Sequence, residues 1–356
     1  MANYLFDLIK SQIIDREKQF LETPNGCNIT YGNLLDKSAQ YANAMSSTGV
    51  RPGDRVVVQV EKSPATLILY LGCIQLGAIL VPLNTAYTAA ELEYFISDSD
   101  PKLVVCCTNK IDEISAIVTG RDISIETLGL NPSGSLDELA RGMDTYFPEA
   151  ERGPDDIAAI LYTSGTTGRS KGAMLTHCNL ASNALTLVNQ WRFNQDDILI
   201  HALPVYHTHG LFVATNVILL ANCSMIFLPK FDPELIIDVM PRATVLMGVP
   251  TFYSRLLNHN RLSHDTTKHM RLFISGSAPL LAETHSEWKM RTGHAILERY
   301  GMTETNMNTS NPYDGDRIAG TVGFPLPDVQ LRISHQETGA LVGVNEIGII
   351  EVKGPN

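Results

Sequence analysis

The segment Tyr162-Thr-Ser-Gly-Thr-Thr-Gly-Arg-Ser-Lys-Gly172 concentrates three glycines, five Ser/Thr hydroxyls and one lysine in a short stretch. Glycines let a backbone approach a ligand closely and adopt positive φ. The amides and the hydroxyls of Thr163, Ser164, Thr166, Thr167 and Ser170 can then donate to phosphate oxygens, and Lys171 adds positive charge. The segment follows the apolar run Ala158–Tyr162, where a phosphate loop would leave a strand. It is not the GxxxxGK[ST] loop, because glycine follows Lys171, and it is not GxGxxG. A flexible surface turn is the alternative reading.

Other chemistry-bearing groups lie further on. His207 and His209 are spaced i, i+2, which could suggest a metal site, but no third ligand accompanies them. The stretch Val249–Leu257 reads as a helix starting near Pro250, with Arg255 on it. Arg271 precedes an apolar strand ending at Ser275. The segment Glu298-Arg-Tyr-Gly-Met-Thr-Glu304 closes a short strand with a second glycine motif.

The elements that position these groups follow an α/β rhythm. Helical patterns at 32–45, 66–77 and 89–97 alternate with apolar runs at 55–60, 78–82 and 103–107. The segment 131–156, rich in Gly, Pro, Ser and acidic residues, reads as a loop-bearing connection. Strands are then expected at 158–162, 198–202, 224–228, 245–248, 272–275 and 296–299, with a helix over 178–191. Short β segments at 329–333 and 348–352 end the chain. The expectation is an α/β protein: two α/β subdomains with mainly parallel sheets, 1–153 and 154–319, and the start of a small β subdomain, 320–356.

Composition limits the function classes. With 356 residues, 44% hydrophobic and 18% charged, the chain can bury a sizeable core. A net charge of -11 argues against broad nucleic-acid binding, while local amides and one lysine can still hold a small anion. The six cysteines form no CxxC pair, so free thiols in a reducing cytoplasm are expected. The N-terminal residues show no signal-peptide pattern, and no apolar run approaches about 18 residues.

The loop at 163–172 resembles the phosphate loop of the acyl-CoA synthetase, adenylation-domain and luciferase superfamily. Glu298–Glu304 is similar to that superfamily's YGxTE motif. Leu203–Phe212, Gly248–Tyr253, Ser275–Leu280 and Asn306–Asp314 resemble its malonyl-CoA synthetase branch, so the likeness runs through essentially the whole chain. The resemblance implies ATP-dependent activation of malonate or methylmalonate to an acyl-adenylate, then thioester formation with coenzyme A. It gives Thr163, Ser164, Gly165, Thr166, Thr167, Gly168 and Lys171 to the β- and γ-phosphates. Gly276, Ser277 and Ala278 would lie against adenine and ribose, Tyr300 would stack on adenine, and Thr303 would bond the α-phosphate. Glu298, Arg299, Gly301 and Met302 join the nucleotide site, and Glu304 would hold Mg²⁺, a hard cation suited to oxygen ligands. Thr163, Lys171, Thr303 and Glu304 are the implied catalytic set. On the acid side the resemblance points to His207, Ser277 and Met302, with Arg255 pairing a second carboxylate, Arg271 as a weaker candidate and His209 as structural. A CoA ligase for another short or medium-chain acid, a carrier-loading adenylation domain and a non-catalytic nucleotide-binding module remain as alternatives. The family continues beyond the point matching Asn356 into a mobile C-terminal domain of roughly 100 residues that carries a lysine. The expectation is therefore an N-terminal part with little activity alone, whose partner is the missing domain.

Overall fold

A computed structural model describes residues 2–129, 134–163 and 169–356. Two sheets dominate it. The six-stranded sheet runs, edge to edge, through Ser124–Thr127, Leu103–Cys106, Arg55–Gln59, Ile79–Pro82, Ile157–Thr163 and Lys171–Thr176. Its first five strands are parallel, and the last pairs antiparallel with Ile157–Thr163. The apolar runs Val56–Val58 and Leu103–Val105 are buried throughout, as befits parallel strands covered on both faces.

The nine-stranded sheet has a parallel centre of Leu297–Met302, Leu272–Ser275, Val245–Gly248, Ile198–His201, Ser224–Phe227 and Gln19–Glu22, in that order. Antiparallel strands close its edges: Asn306–Ser310 and Phe324–Pro325 on one side, Asn28–Thr30 on the other. The α/β expectation is met with one topological detail that periodicity missed. Gln19–Glu22 belongs to the second sheet, and Ile157–Thr163 with Lys171–Thr176 belongs to the first. The strands of the two sheets therefore interleave in sequence across residue 153. The segment read as a connecting loop also holds a short helix, Ser135–Ala140.

One apolar core joins both sheets. The helix Pro64–Leu76 is buried from Thr66 to Leu76 and packs on Tyr31–Ser47. Its polar ties cross the seam: the Tyr70 hydroxyl donates to Asn216 Oδ1 at 2.9 Å, and Tyr31 donates to the Cys223 carbonyl at 2.7 Å. Buried phenols without such partners would each cost about 1–3 kcal/mol. A two-stranded antiparallel sheet, Gln330–Ser334 with Ile349–Lys353, lies apart and leaves Ile333, Ile349 and Ile350 exposed. The six cysteines are free. Among the described residues no helix is long and apolar enough to cross a membrane.

His177 opens the helix His177–Gln190 fully buried, and neither ring nitrogen has a partner among the described residues. Burial pushes its pKa down from 6.5 to about 4. The unfolded chain thus binds a proton that the folded chain refuses, so stability is full above about pH 6.5 and falls as pH drops toward 4. That depression corresponds to roughly 3 kcal/mol. Chemical denaturation between pH 7 and pH 4.5 should show a shallower loss for His177→Gln than for the native chain. Parallel losses would show that His177 does not contribute.

Candidate active site

The site forms where the nine-stranded sheet delivers the C-terminal ends of its strands. Leu272–Ser275 ends in Gly276 and Ser277, and Ser277 takes the left-handed φ of 72°. Beside it, the strand Leu297–Met302 carries Arg299, which is 4% exposed. The guanidinium lies flat against Gly276: a Cβ there would stand 2.4 Å from Arg299 Cζ. Only glycine admits that approach without displacing the side chain. Arg299 Nε and Nη2 have no hydrogen-bond partner among the described residues. Burial pushes the guanidinium down to about 9, since desolvation disfavours an unpaired charge.

The opposite wall is a π-helical turn, His209–Ala214. Such wide turns redirect side chains locally. Gly210 fits there because a Cβ would meet the Pro204 carbonyl oxygen at 2.0 Å. His209 Nδ1 and Ser277 Oγ are 3.3 Å apart, while His209 Nε2 is buried without a partner among the described residues. Burial, then the nearby Arg299 charge, holds the His209 imidazole well below its usual range, and so neutral. Thr208 donates to Asn306 Oδ1 at 2.9 Å. Between these walls lies a cleft of about 430 Å³, lined by His207, His209, Ser277, Arg299, Met302 and Thr303 among others.

The turn after Met302 sets the remaining groups. A register shift between Tyr300 and Gly301 bends the hairpin with Asn306–Ser310, and a Cβ on Gly301 would lie 2.0 Å from the Asn306 carbonyl oxygen. Thr303 faces the cleft. Glu304 is exposed. Burial, then Glu304, pushes the Tyr300 phenol up. Glu298 is buried and accepts from the Gly320 amide at 3.2 Å, which braces the loop above the strand. Among the described residues no three His, Cys, Asp or Glu side chains form a metal-binding group. The exposed carboxylate of Glu304 is a hard oxygen donor, the kind that magnesium takes singly beside phosphate oxygens.

Thr163 and Lys171 face each other in register across the Ile157–Thr163 hairpin, so they mark the mouth of the glycine-rich loop. Ser164, Gly165, Thr166, Thr167 and Gly168 lie outside the described residues. The helix Ala89–Ser99 clamps both stems. Tyr162 donates to Asp98 Oδ2 at 2.7 Å, Tyr94 donates to the Ser170 carbonyl at 2.7 Å, and the Arg169 guanidinium sits 5.1 Å over the Tyr94 ring.

Two expected residues lie elsewhere. The helix Pro250–Leu257 buries Phe252, Tyr253, Leu256 and Leu257, so position 255 faces outward. Arg255 is exposed, and its guanidinium stacks 4.4 Å over Phe231; it does not line the cleft. Arg271 is committed to Asp197 through Nε–Oδ1 and Nη2–Oδ2 contacts of 2.7 Å each, and also donates to the Trp191 carbonyl. The sequence reading did not assign Thr208 or Met307 to the cleft, and it placed Arg299 only at the nucleotide. The available signal was Arg299 itself, a charge directly after the apolar run Ala295–Leu297 and its glutamate.

The chain is similar to known proteins along its length. A sequence model described as "AMP-binding enzyme" matches residues 14–356. Mouse malonate–CoA ligase ACSF3, mitochondrial, is 35% identical over 327 residues, covering 85% of this chain and 55% of the relative. A feruloyl-CoA synthase from an Amycolatopsis species is 32% identical over 336 residues, covering 93% and 66%. The chain thus spans about half the length of the first malonate–CoA ligase relatives. The crystal structure of ATP-bound MatB from Rhodopseudomonas palustris is 59% identical with a TM-score of 0.98, covering 100% of this chain and 71% of that one.

Tyr94→Phe removes one hydrogen bond from the loop's second stem, worth about 1 kcal/mol. Amide exchange at residues 169–172 should quicken about fivefold, while exchange in the other strands of that sheet stays constant. Unchanged protection at 169–172 would mean that the helix does not hold the stem.

Proposed function

This chain belongs to the AMP-binding enzyme family, and from that membership and the form of the cleft we propose that it carries the acid- and ATP-binding part of a malonate–CoA ligase. The reaction is attack of a malonate carboxylate on the α-phosphorus of ATP. It gives malonyl-adenylate and pyrophosphate; coenzyme A thiol then displaces AMP to form malonyl-CoA. Methylmalonate is the other acid of the same class.

The observation that carries the reading is Arg299. A buried guanidinium whose Nε and Nη2 have no partner among the described residues stands in the wall of the cleft. A guanidinium can match a carboxylate with two parallel N–H donors. The reacting carboxylate is ionised at pH 7 and needs no general base, so a second carboxylate is what Arg299 asks for. A monocarboxylate would enter and leave the charge unpaired, at the cost of a buried unsatisfied ion. The names of this chain's malonate–CoA ligase relatives support this choice. Arg299 thus moves from the nucleotide to the acid, and Arg255 has no role in the pocket.

The other assignments follow the family motifs. Thr163, Lys171 and the loop residues Ser164, Gly165, Thr166, Thr167 and Gly168 hold the terminal phosphates. Gly276, Ser277, Ala278 and Tyr300 frame adenine and ribose, with Glu298, Gly301 and Met302 supporting that wall. Thr303 donates to the α-phosphate, and Glu304 takes the magnesium that arrives with ATP. The magnesium supplies charge neutralisation at the phosphates when bound. His207 and Ser277 border the acid. Catalysis then rests on positioning and charge stabilisation, as in other phosphoryl transfers. We place the protein in the cytoplasm, a reducing compartment suited to six free thiols.

The test is isothermal titration of this chain with malonate beside a non-hydrolysable ATP analogue. Arg299→Met should weaken malonate by about 100-fold, the scale of truncating a buried charge partner, and leave the nucleotide within about twofold. Arg255→Ala should change neither. Ferulate, acetate and hexanoate should bind at least about 100-fold more weakly than malonate. Preference for ferulate would turn the reading toward the feruloyl-CoA synthase relatives, and equal malonate affinity in Arg299→Met would end it.

A further inference from the structure

The seam between the two sheets holds a charge that the proposed reaction does not use. Lys62 follows the strand Arg55–Gln59 of the first sheet, and His201 ends the strand Ile198–His201 of the second. Lys62 Nζ donates to the His201 carbonyl at 2.8 Å and lies 3.0 Å from His201 Nδ1. The ammonium also sits 4.3 Å over the Phe227 ring. Among the described residues no carboxylate pairs with it. Across the same imidazole, Nε2 is 2.9 Å from the Gly210 carbonyl oxygen. A carbonyl only accepts, so Nε2 carries the ring proton and Nδ1 is the bare nitrogen that takes the lysine N–H. The two contacts specify one tautomer and one ring orientation.

The position of Gly210 gives this contact its reach. It lies in the π-helical turn whose first residue, His209, meets Ser277 at 3.3 Å and backs Arg299. The segment 203–211 is also a thin wall. His207, Thr208 and His209 face the acid cleft, while Val205 and Leu211 face a second cavity of about 320 Å³ that Lys62 lines. The Gly210 carbonyl takes two side-chain donors: the Thr215 hydroxyl, from the helix that follows the turn, at 3.0 Å, and His201, which alone of the two comes from a strand beside Lys62. Burial pushes both the Lys62 ammonium and, with Lys62 as a further cause, the His201 imidazolium down, so the imidazole stays neutral beside the lysine.

We propose that Lys62 is a positioning residue for the acid cleft, acting across the seam by locking His201 in the tautomer that ties Gly210 and so fixes His207, Thr208 and His209 against Ser277 and Arg299. The ligand of that cleft rests on the malonate reading; the lock itself does not. Lys62 is not among the residues that line that cleft. The donated hydrogen bond, not the charge, is the active element.

The experiment separates the lock from the ligand. In this chain labelled with ¹⁵N-histidine, His201 should show a single Nε2–H tautomer. Lys62→Met should give mixed tautomers and move the His209 ring resonances, whereas Lys62→Gln, a neutral donor of similar reach, should keep both. A global weakening of the fold would not be repaired by glutamine in this way. In titrations, Lys62→Met should lose about tenfold in malonate affinity, the loss of about one hydrogen bond, with the ATP analogue within about twofold; Lys62→Gln should stay within about threefold of the native chain. Should the native chain itself fail to take malonate, the malonate reading falls, and the ligand-free resonances still decide the lock. Unmoved His209 resonances in Lys62→Met, or equal losses in Lys62→Met and Lys62→Gln, would overturn the proposal. Should the methionine variant not fold, the same decision falls to Lys62→Gln: mixed His201 tautomers there would overturn it.

Discussion

A guanidinium pressed against a glycine is the contact on which the rest of the cleft depends. Arg299 reaches its place only because Gly276 has no side chain. Burying an unpaired cation costs several kcal/mol in any protein interior. The fold bears that cost here because the flanking groups are held by their own contacts: His209 against Ser277, Thr208 against Asn306, Glu298 against Gly320. None of these offers an anion to the guanidinium edge.

The interleaved sheets explain how such strain is tolerated. Gly276 follows the strand Leu272–Ser275, and Arg299 stands just past the last parallel pair, Ser275 with Glu298, where its own strand goes on to pair antiparallel with Asn306–Ser310. The C-terminal ends of parallel strands are where open α/β sheets collect ligands. The wall opposite comes from a loop and a π-helical turn, which are softer. It is therefore the wall that carries additional ties, through His201 to the other sheet and through Asn306 to the bent hairpin. Rigid strands hold the charge, and hydrogen bonds aim the polar residues toward it.

Much of this was legible before any coordinates. Parallel strands buried on both faces read as unbroken apolar runs, so Val56–Val58, Leu103–Val105 and Leu272–Ile274 were visible at once. Gln19–Glu22 was not, because only its two central residues, Phe20 and Leu21, are apolar and buried, too short a run to announce a strand. Lys171–Thr176 was hidden by its neighbours: the glycine-rich composition of the loop masked a strand that begins on its lysine. The two arginines show the limit most clearly. Arg255 and Arg299 are the same side chain near similar motifs. What separates them is the phase of an eight-residue helix, which turns 255 outward, and a missing Cβ at position 276 on another strand. Neither is a property of the local sequence around either arginine.

The same contrast bears on how selectivity arises. A surface arginine such as Arg255 is solvated whether or not an acid is present, so a carboxylate beside it gains little over water. A buried arginine has already lost its water. An acid that fails to pair with it forfeits the whole compensation, and an acid that pairs recovers it. Under the malonate reading proposed above, discrimination rests on rejecting monocarboxylates more than on gripping the correct acid, which is how sites with buried polar groups reach large ratios. It also requires that the pocket not relax to let water or a rotated side chain satisfy the guanidinium. His209 and Ser277 close one route to such relaxation, and the backbone of Gly276 closes another. Under the same reading the ties that hold the wall are part of the specificity, and groups remote from the acid, on the far sheet, share in setting it.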